Sequence, residues 1–392
     1  MNSNKIEWKE VELGEVCQIL SGSTPSTIKE EYWNGDINWI TPAEISNSHN
    51  WYYSNTIKKI SKKGLESSSI NLFPKGTVML TSRAPIGKVA IAGTEMCSNQ
   101  GFKNFICDKK ILDPEYLYYW LRMNVEYLNS LGRGATFKEI SKSIVSKIKI
   151  PLPPISTQKA IVSILEKAES LKKKREEADK LTKEYLQSVF YEMFYNKKFP
   201  YQKINNIILE IKNRNSKKEN SEEEFEYIDI SSIDNSLKRI SSTSKILWKN
   251  SPSRAKQEVK NKDIIISTVR PNLNAVAIIP NELNGQICST GFCVLRANTE
   301  KVIPEYLFMN SIGKIFINSM SKIAKGASYP AISNKDILNF EIPLPPINLQ
   351  QKFASIVEQV EKLKEKQKES KEEIGLMFDS LMQKAFNGEL VR

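Results

Sequence analysis

The stretch IPLPPISTQKAIVSILEKAESL, Ile150 to Leu171, recurs 192 residues later as IPLPPINLQQKFASIVEQVEKL, Ile342 to Leu363. A long internal repeat fixes architecture before any local pattern does, because each copy must fold as the same unit. Upstream, GRGATFKEIS (Gly132 to Ser141) is answered at the same offset by AKGASYPAIS (Ala324 to Ser333), so Gly134 matches Gly326 and Phe137 matches Tyr329. Pro114-Glu115-Tyr116-Leu117 returns as Pro304-Glu305-Tyr306-Leu307, and Cys97 to Phe102 returns one residue shorter as Cys288 to Phe292. Trp8-Lys9-Glu10-Val11 loosely matches Tyr201-Gln202-Lys203-Ile204. Each half is thus a globular part of about 150 residues, the size of one domain, leading into a helix. The expected segments are 1–150, 151–196, 197–341 and 342–392.

Pro151, Pro153 and Pro154 remove backbone donors and bias their predecessors to extended geometry, which makes a stiff hinge. Beyond it Ser156 or Thr157 is expected to cap a helix running to about Tyr195, with Asn348 in that place in the second copy. Forty residues of helix reach about 60 Å. Its apolar residues, from Ile161, Leu165 and Ala168 to Leu181, Tyr185 and Val189, follow a seam of about 3.5 residues, and Phe353, Ile356, Val360 and Leu363 repeat it. Arg175 and Gln367 make both seams polar midway, which either fixes register or marks where the helices part. The first helix carries the chain from one domain to the other, so a packed partner must run back. An antiparallel pair with pseudo-two-fold symmetry follows, and Phe386-Asn387-Gly388-Glu389-Leu390 is expected near the N-terminus.

The globular parts are mixed α+β. Short apolar runs broken by turn residues, such as Val16 to Leu20, read as strands. Thr77 to Thr81 and Lys88 to Ala92 flank Arg83-Ala84-Pro85-Ile86-Gly87 as two strands and a turn, and Asp263 to Ser267 and Ala275 to Ile279 do so around Arg270-Pro271-Asn272. Glu115 to Leu131 is expected to form one helix, with Pro114 at its start and Gly132 after its end.

Of the net charge of +12, the first globular part carries +4 and the second +7, and the helical segments carry +1 and 0. Basic domains on neutral helices point to a polyanion on the domains and protein on the helices. Five cysteines without an apolar leader argue for reduced thiols, and no stretch has the roughly 18 apolar residues of a membrane span, so a cytoplasmic protein is expected. The only histidine, His49, lies far from any cysteine, and zinc is not expected. Gly87-Lys88 lacks the other residues of a phosphate-binding loop, having Ser82 and Val89 where that motif needs Gly and Ser or Thr. In both PLPP runs leucine, Leu152 or Leu344, replaces the amide or acid of an amino-methyltransferase motif. Glu258-Val259-Lys260 is a commonplace pattern in a chain this rich in Glu and Lys. No acid, base or nucleophile constellation stands out, so the chain is expected to bind rather than catalyse.

With these parts assembled, the whole chain resembles the specificity subunits of Type I restriction-modification enzymes. The likeness rests on the doubled PLPP-x3-Q at each helix start, the paired G-x-(T/S)-(F/Y)-x-x-I-S, the TSRAPIGKVA turn at Thr81 to Ala90 and the closing FNGEL. It implies two target recognition domains, each reading half of a bipartite, asymmetric site in double-stranded DNA, on helices that set the spacing and dock two methyltransferase subunits. It also implies restriction/translocase subunits, with AdoMet, ATP and Mg on those partners and no cofactor in this chain. A coiled-coil scaffold without sequence-specific DNA binding is the other reading; it explains the helices but not the charge confined to the domains.

Three loops offer donors suited to phosphates or base edges. Arg83 and Lys88, with Arg270, Asn272 and Asn274, lie on the strand-joining turns, where Arg-Pro and Gly equally suit a purely structural turn. Asn99, Gln100 and Lys103, with Ser289 and Thr290, form a second set, and Arg133, Thr136 and Lys138, with Lys325, Ser328 and Tyr329, a third. Because these positions repeat, they are also suited to structure or phosphate positioning, leaving bases to unmatched loops such as Asn34 to Tyr53 and Ser231 to Arg254. Partner contact is expected at Gln158, Lys159, Gln350, Gln351 and Phe386.

Overall fold

Ser82 and Thr268 follow directly on interior strands of two related sheets, and tracing those strands outward gives the fold. The computed structural model describes residues 7–46, 51–67, 70–83, 85–134, 138–195, 197–211, 213–214 and 220–391. By packing, the chain divides into Met1–Glu177 with Gln367–Arg392, and Ala178–Lys366.

In the first unit the strands are β1 (Glu10–Glu12), β2 (Cys17–Ser21), β3 (Trp33–Ile40), β4 (Tyr52–Tyr53), β5 (Lys59–Ile60), β6 (Val78–Thr81), β7 (Val89–Ala92), β8 (Cys97–Ser98), β9 (Phe102–Cys107) and β10 (Lys149–Pro151). The helices are α1 (Leu13–Val16), α2 (Lys62–Glu66), α3 (Pro114–Met123), α4 (Val125–Ser130), α5 (Lys142–Ser146) and α6 (Ile155–Phe194), the last crossing into the second unit. The main sheet runs β2-β9-β6-β7-β4, a smaller one β5-β3-β8, and β1 pairs antiparallel with β10 beside the hinge. β6 is buried along its whole length because both faces are covered. Val78 and Leu80 join the cluster containing Tyr116 and Leu165, while Met79 packs with Ile40, Phe73 and Phe102. The expected strand pair forms, with Val78 opposite Ile91 and Leu80 opposite Val89.

The second unit repeats this with β11 (Tyr201–Lys203), β12 (Ile208–Leu209), β13 (Glu224–Ile228), β14 (Ile233–Asp234), β15 (Arg239–Ile240), β16 (Ser244–Leu247), β17 (Ala255–Glu258), β18 (Ile264–Ser267), β19 (Val276–Ile278), β20 (Ile287–Ser289), β21 (Phe292–Ala297) and β22 (Glu341–Pro343). Its helices are α7 (Pro304–Ile312), α8 (Lys314–Ile323), α9 (Asn334–Leu338) and α10 (Ile347–Phe386), which returns to the first unit. Its sheets are β12-β21-β18-β19 and β16-β13-β20-β17, with β14–β15 a separate hairpin.

The two long helices are 40 residues each and touch within each unit. In the first, Phe378, Met382, Ala385 and Phe386 from the end of α10 join Ile161, Leu165 and Ala168 from the start of α6. In the second, Phe190 and Phe194 from the end of α6 lie 5.2 and 5.5 Å from Phe353 near the start of α10. Start meets end in both, so the pairing is antiparallel. Leu390 and Val391 pack on the same core as Trp8.

Two local expectations need correction. Ser156, Thr157 and Asn348 lie inside the first helical turns, because Pro154 and Pro346 already supply the carbonyls that accept the first helical N–H groups. The single helix from Glu115 breaks at Asn124, whose amide folds back onto the Trp120 carbonyl at 2.9 Å and competes with the helical bond. Its start is capped by Asp113, which accepts from the N–H groups of Glu115 and Tyr116 at 3.0 and 3.2 Å.

Candidate DNA interface

In the first domain the three suspected loops meet. The Ser82 N–H donates to the Gly101 carbonyl at 2.7 Å and the Ser82 carbonyl accepts from Ile140 N–H at 2.9 Å, which joins the β6–β7 turn, the β8–β9 turn and the segment after Gly132. Arg133 and Glu139 exchange backbone hydrogen bonds of 3.0 and 2.9 Å. The Glu139 carboxylate sits between the loops and accepts from Arg83 Nε at 2.9 Å and Lys103 Nζ at 3.2 Å. Lys103 also donates to Ser82 Oγ at 3.2 Å. Burial alone would push the Glu139 carboxyl up, but the Lys103 ammonium and the Arg83 guanidinium together hold it below the usual carboxylate range. Lys88 reaches back from the turn to the carbonyls of Ile45 (2.8 Å) and Pro42 (3.3 Å), tying down the unmatched loop.

The second domain repeats the scaffold with different side chains. Thr268 stands for Ser82: its N–H and its hydroxyl both donate to the Gly291 carbonyl at 2.9 Å, and its carbonyl accepts from Ile332 N–H at 2.9 Å. Lys325 and Ala331 exchange backbone bonds of 3.0 and 2.9 Å, so Ala331 occupies the place of Glu139. Ser289 Oγ accepts from Gly291 N–H at 3.1 Å as Asn99 Oδ1 does from Gly101 N–H at 3.0 Å, which makes both turn formers. This register sets Arg83 against Val269, not against Arg270. Arg270 is exposed, with φ 50° and its guanidinium carbon 4.5 Å from the centre of the Tyr329 ring. Here the tie runs the other way. Lys238, at the tip of the β14–β15 hairpin, donates to the Asn274 carbonyl, and burial pushes its ammonium down. In both domains one lysine fastens the unmatched loop to the repeated turn, so the two classes of loop share one face.

Among the expected DNA contacts, Arg83, Gln100, Arg133, Lys138, Arg270, Asn272, Lys325, Ser328 and Tyr329 are exposed, although Gln100 already accepts from the Thr24 hydroxyl. Thr136 and His49 lie outside the described residues. Lys103, at 4% exposed, and Asn274, whose amide donates to the Ile312 carbonyl at 3.2 Å, are buried supports, and Lys88 is engaged with carbonyls. None of these three side chains is free to meet DNA.

Three expected partner contacts are likewise internal. Gln158 and Gln350 are fully buried clasps. Gln158 Oε1 accepts from Asp113 N–H at 2.8 Å, and Nε2 donates at 2.8 Å to the carbonyls of Ile111 and Pro153. Gln350 does the same with Ile303 (2.9 Å), Lys301 (3.1 Å) and Pro345 (2.9 Å). Phe386 is buried against Tyr116, ring centres 5.1 Å apart. Lys159 and Gln351 remain on the surface. Glu139 and Lys238 escaped the sequence reading; the only signal was that Ala331 breaks the repeat at Glu139.

Among the described residues no group of three His, Cys, Asp or Glu is arranged to hold a metal, and no helix is long and apolar enough to cross a membrane. All five cysteines are buried free thiols.

Comparison with known proteins agrees with this doubled architecture. The family model described as Type I restriction modification DNA specificity domain matches twice, at residues 5–181 and 196–375. The MjaVIII specificity subunit of Methanocaldococcus jannaschii is 23% identical over 98% of this chain and 93% of its own. The MjaIX specificity subunit of the same organism is 38% identical over 203 residues, about half of either chain (50% and 47%). A chain solved in work on complex assembly and conformational transition of the type I R-M system superposes with a TM-score of 0.66 at 20% identity, covering 98% of both. The HsdS subunit from Thermoanaerobacter tengcongensis gives 0.52 at 18% identity, covering 98% and 97%. Two matches of one domain model, each spanning a domain and most of its helix, leave a single assignment: the chain belongs to the family of Type I restriction-modification DNA specificity subunits, non-catalytic chains whose methylating and cleaving partners are separate.

Proposed function

We propose that residues 1–150 and 197–341 are two target recognition domains, each reading one half of a bipartite, asymmetric site in double-stranded DNA. The observation that carries this is the face built on the same backbone bonds in both domains, where repeated turns and an unmatched loop converge around Ser82 and Thr268. Repeated backbone suits phosphate positioning, while unmatched loops and turn positions where the two copies differ suit base readout, a division seen generally between backbone and groove contacts. The excess positive charge in the globular parts supports DNA binding by the domains and not by the helices. The helices set the distance between half-sites and dock two methyltransferase subunits, Lys159 and Gln351 being the expected contacts that stay exposed. Restriction/translocase subunits join that assembly, and AdoMet, ATP and Mg belong to these partners.

The test is methylation mapping of DNA from cells carrying the methyltransferase with this chain, and with a chimera in which residues 197–341 come from a relative. One half of the methylated motif should change and the other stay. A motif that changes in both halves, or in neither, would overturn the proposal.

A further inference from the structure

We infer that Arg270, held over the Tyr329 ring, is a specificity-determining residue with which the second domain reads the O6/N7 edge of one guanine. The inference rests on the reading of residues 197–341 as a recognition domain.

Arg270 adopts φ 50°, ψ 61°, a left-handed conformation that non-glycine residues rarely take, and it precedes Pro271, which normally drives its neighbour extended. The surroundings hold it there. Its N–H donates to the Pro330 carbonyl at 2.7 Å, its carbonyl accepts from Leu273 N–H at 2.9 Å, and Asn274, also left-handed at φ 48°, closes the turn with its N–H on the Pro271 carbonyl at 3.0 Å. The hairpin lysine, Lys238, pins that last residue from outside. Strain kept in place by so many bonds is characteristic of sites where a side chain must be aimed.

The side chain is aimed but not engaged. Its guanidinium lies over the Tyr329 ring, which is itself 68% exposed. Among the described residues no acceptor takes a side-chain N–H of Arg270. Arg83 of the first domain differs, since its Nε is occupied by Glu139, and the second domain has Ala331 in that place. With no acceptor on them among the described residues, the side-chain N–H groups of Arg270 are open, the fork that fits guanine O6 and N7 together. A phosphate accepts the same fork, but only a base contact gives discrimination at a single base pair.

The experiment uses the complex with its methyltransferase subunits. Competition binding is measured on duplexes carrying the mapped motif with each base pair substituted in turn, for wild type, Arg270→Lys, Tyr329→Ala and Tyr329→Phe. Arg270→Lys and Tyr329→Ala should lose about ten- to a hundredfold discrimination at one G·C pair of the second half-site. Tyr329→Phe should keep it, and the first half-site should read normally throughout. Equal weakening on every sequence, with a shallower salt dependence, would mean a phosphate contact and overturn the inference, as would unchanged discrimination at every position. If the wild-type complex recognised no bipartite motif at all, the recognition-domain reading would fail instead.

Discussion

Replacing Gln158 by alanine removes the clasp between the start of α6 and the loop before α3, and the cost follows from its three bonds. The Ile111 carbonyl sits on an exposed residue and regains water, but the Asp113 N–H and the Pro153 carbonyl lose their partner in a site from which the fully buried side chain had excluded solvent. Each orphaned buried group costs about 1–3 kcal/mol; with the void left behind, the loss should be about 3–5 kcal/mol. The chain supplies its own reporter. Trp8, Trp33, Trp39, Trp51 and Trp120 belong to the first unit and Trp248 alone to the second, so tryptophan fluorescence in a urea titration follows mainly the first. Gln158→Ala should shift that transition strongly, while Gln350→Ala should shift a circular-dichroism transition with little change in fluorescence midpoint. Gln158→Glu keeps the acceptor but sets a carboxylate against two carbonyls, so at neutral pH it should be as damaging as alanine. A loss below about 1 kcal/mol for Gln158→Ala, the net value of one ordinary hydrogen bond, would show that the clasp does not hold the junction.

Other substitutions test other parts of the fold. Glu139→Ala leaves the buried Lys103 ammonium without its carboxylate and should cost the first unit about 3 kcal/mol, recovered largely by adding Lys103→Met; no recovery in the double variant would locate the loss elsewhere. Asp113 has its carboxyl pushed up to about 6, first by burial and then by Glu115. Because this folded-state value lies above the unfolded one near 4, the linked stability is full below about pH 4 and lost as pH rises through about 6. Asparagine keeps the cap without the charge, so Asp113→Asn should flatten urea stability between pH 4 and 7 and equal or exceed wild type at pH 7.5. Phe194 is fully buried with ring centres 5.1, 4.7 and 5.5 Å from Phe190, Tyr306 and Phe353, and Phe194→Ala should cost about 3–5 kcal/mol, seen in the second unit's thermal transition.

The doubled PLPP stretch made the large-scale plan legible, because apolar spacing after each hinge allows only a long helix and a second copy demands a second domain. Side-chain roles were less legible. Gln158 and Gln350 look like surface polar residues at helix starts, and only the loops ending at Asp113 and Ile303, folding over them, turn them into buried clasps. Lys88 and Asn274 carry the right donors for DNA, but spacing cannot tell that Lys88 will find the Pro42 and Ile45 carbonyls or that Ile312 will take the Asn274 amide. The two turn arginines look equivalent in sequence. A shift of one residue in register separates them, and it became visible only through the matching bonds of Ser82 and Thr268.

Each unit finishes its core with the end of a helix that began in the other half of the chain. The first is plugged by Phe386, which rests on Tyr116, and the second by Phe194, which rests on Tyr306. The plugs stand 192 positions apart and the sockets 190, at matching places in the repeat. The two halves are therefore interchangeable parts, joined at hinges that any relative with the same hinge and plug can share. A chain stopping just after Phe194 would own one plug and one empty socket of matching shape. Two such half-chains would fill each other's sockets, and the site they recognised would become a palindrome.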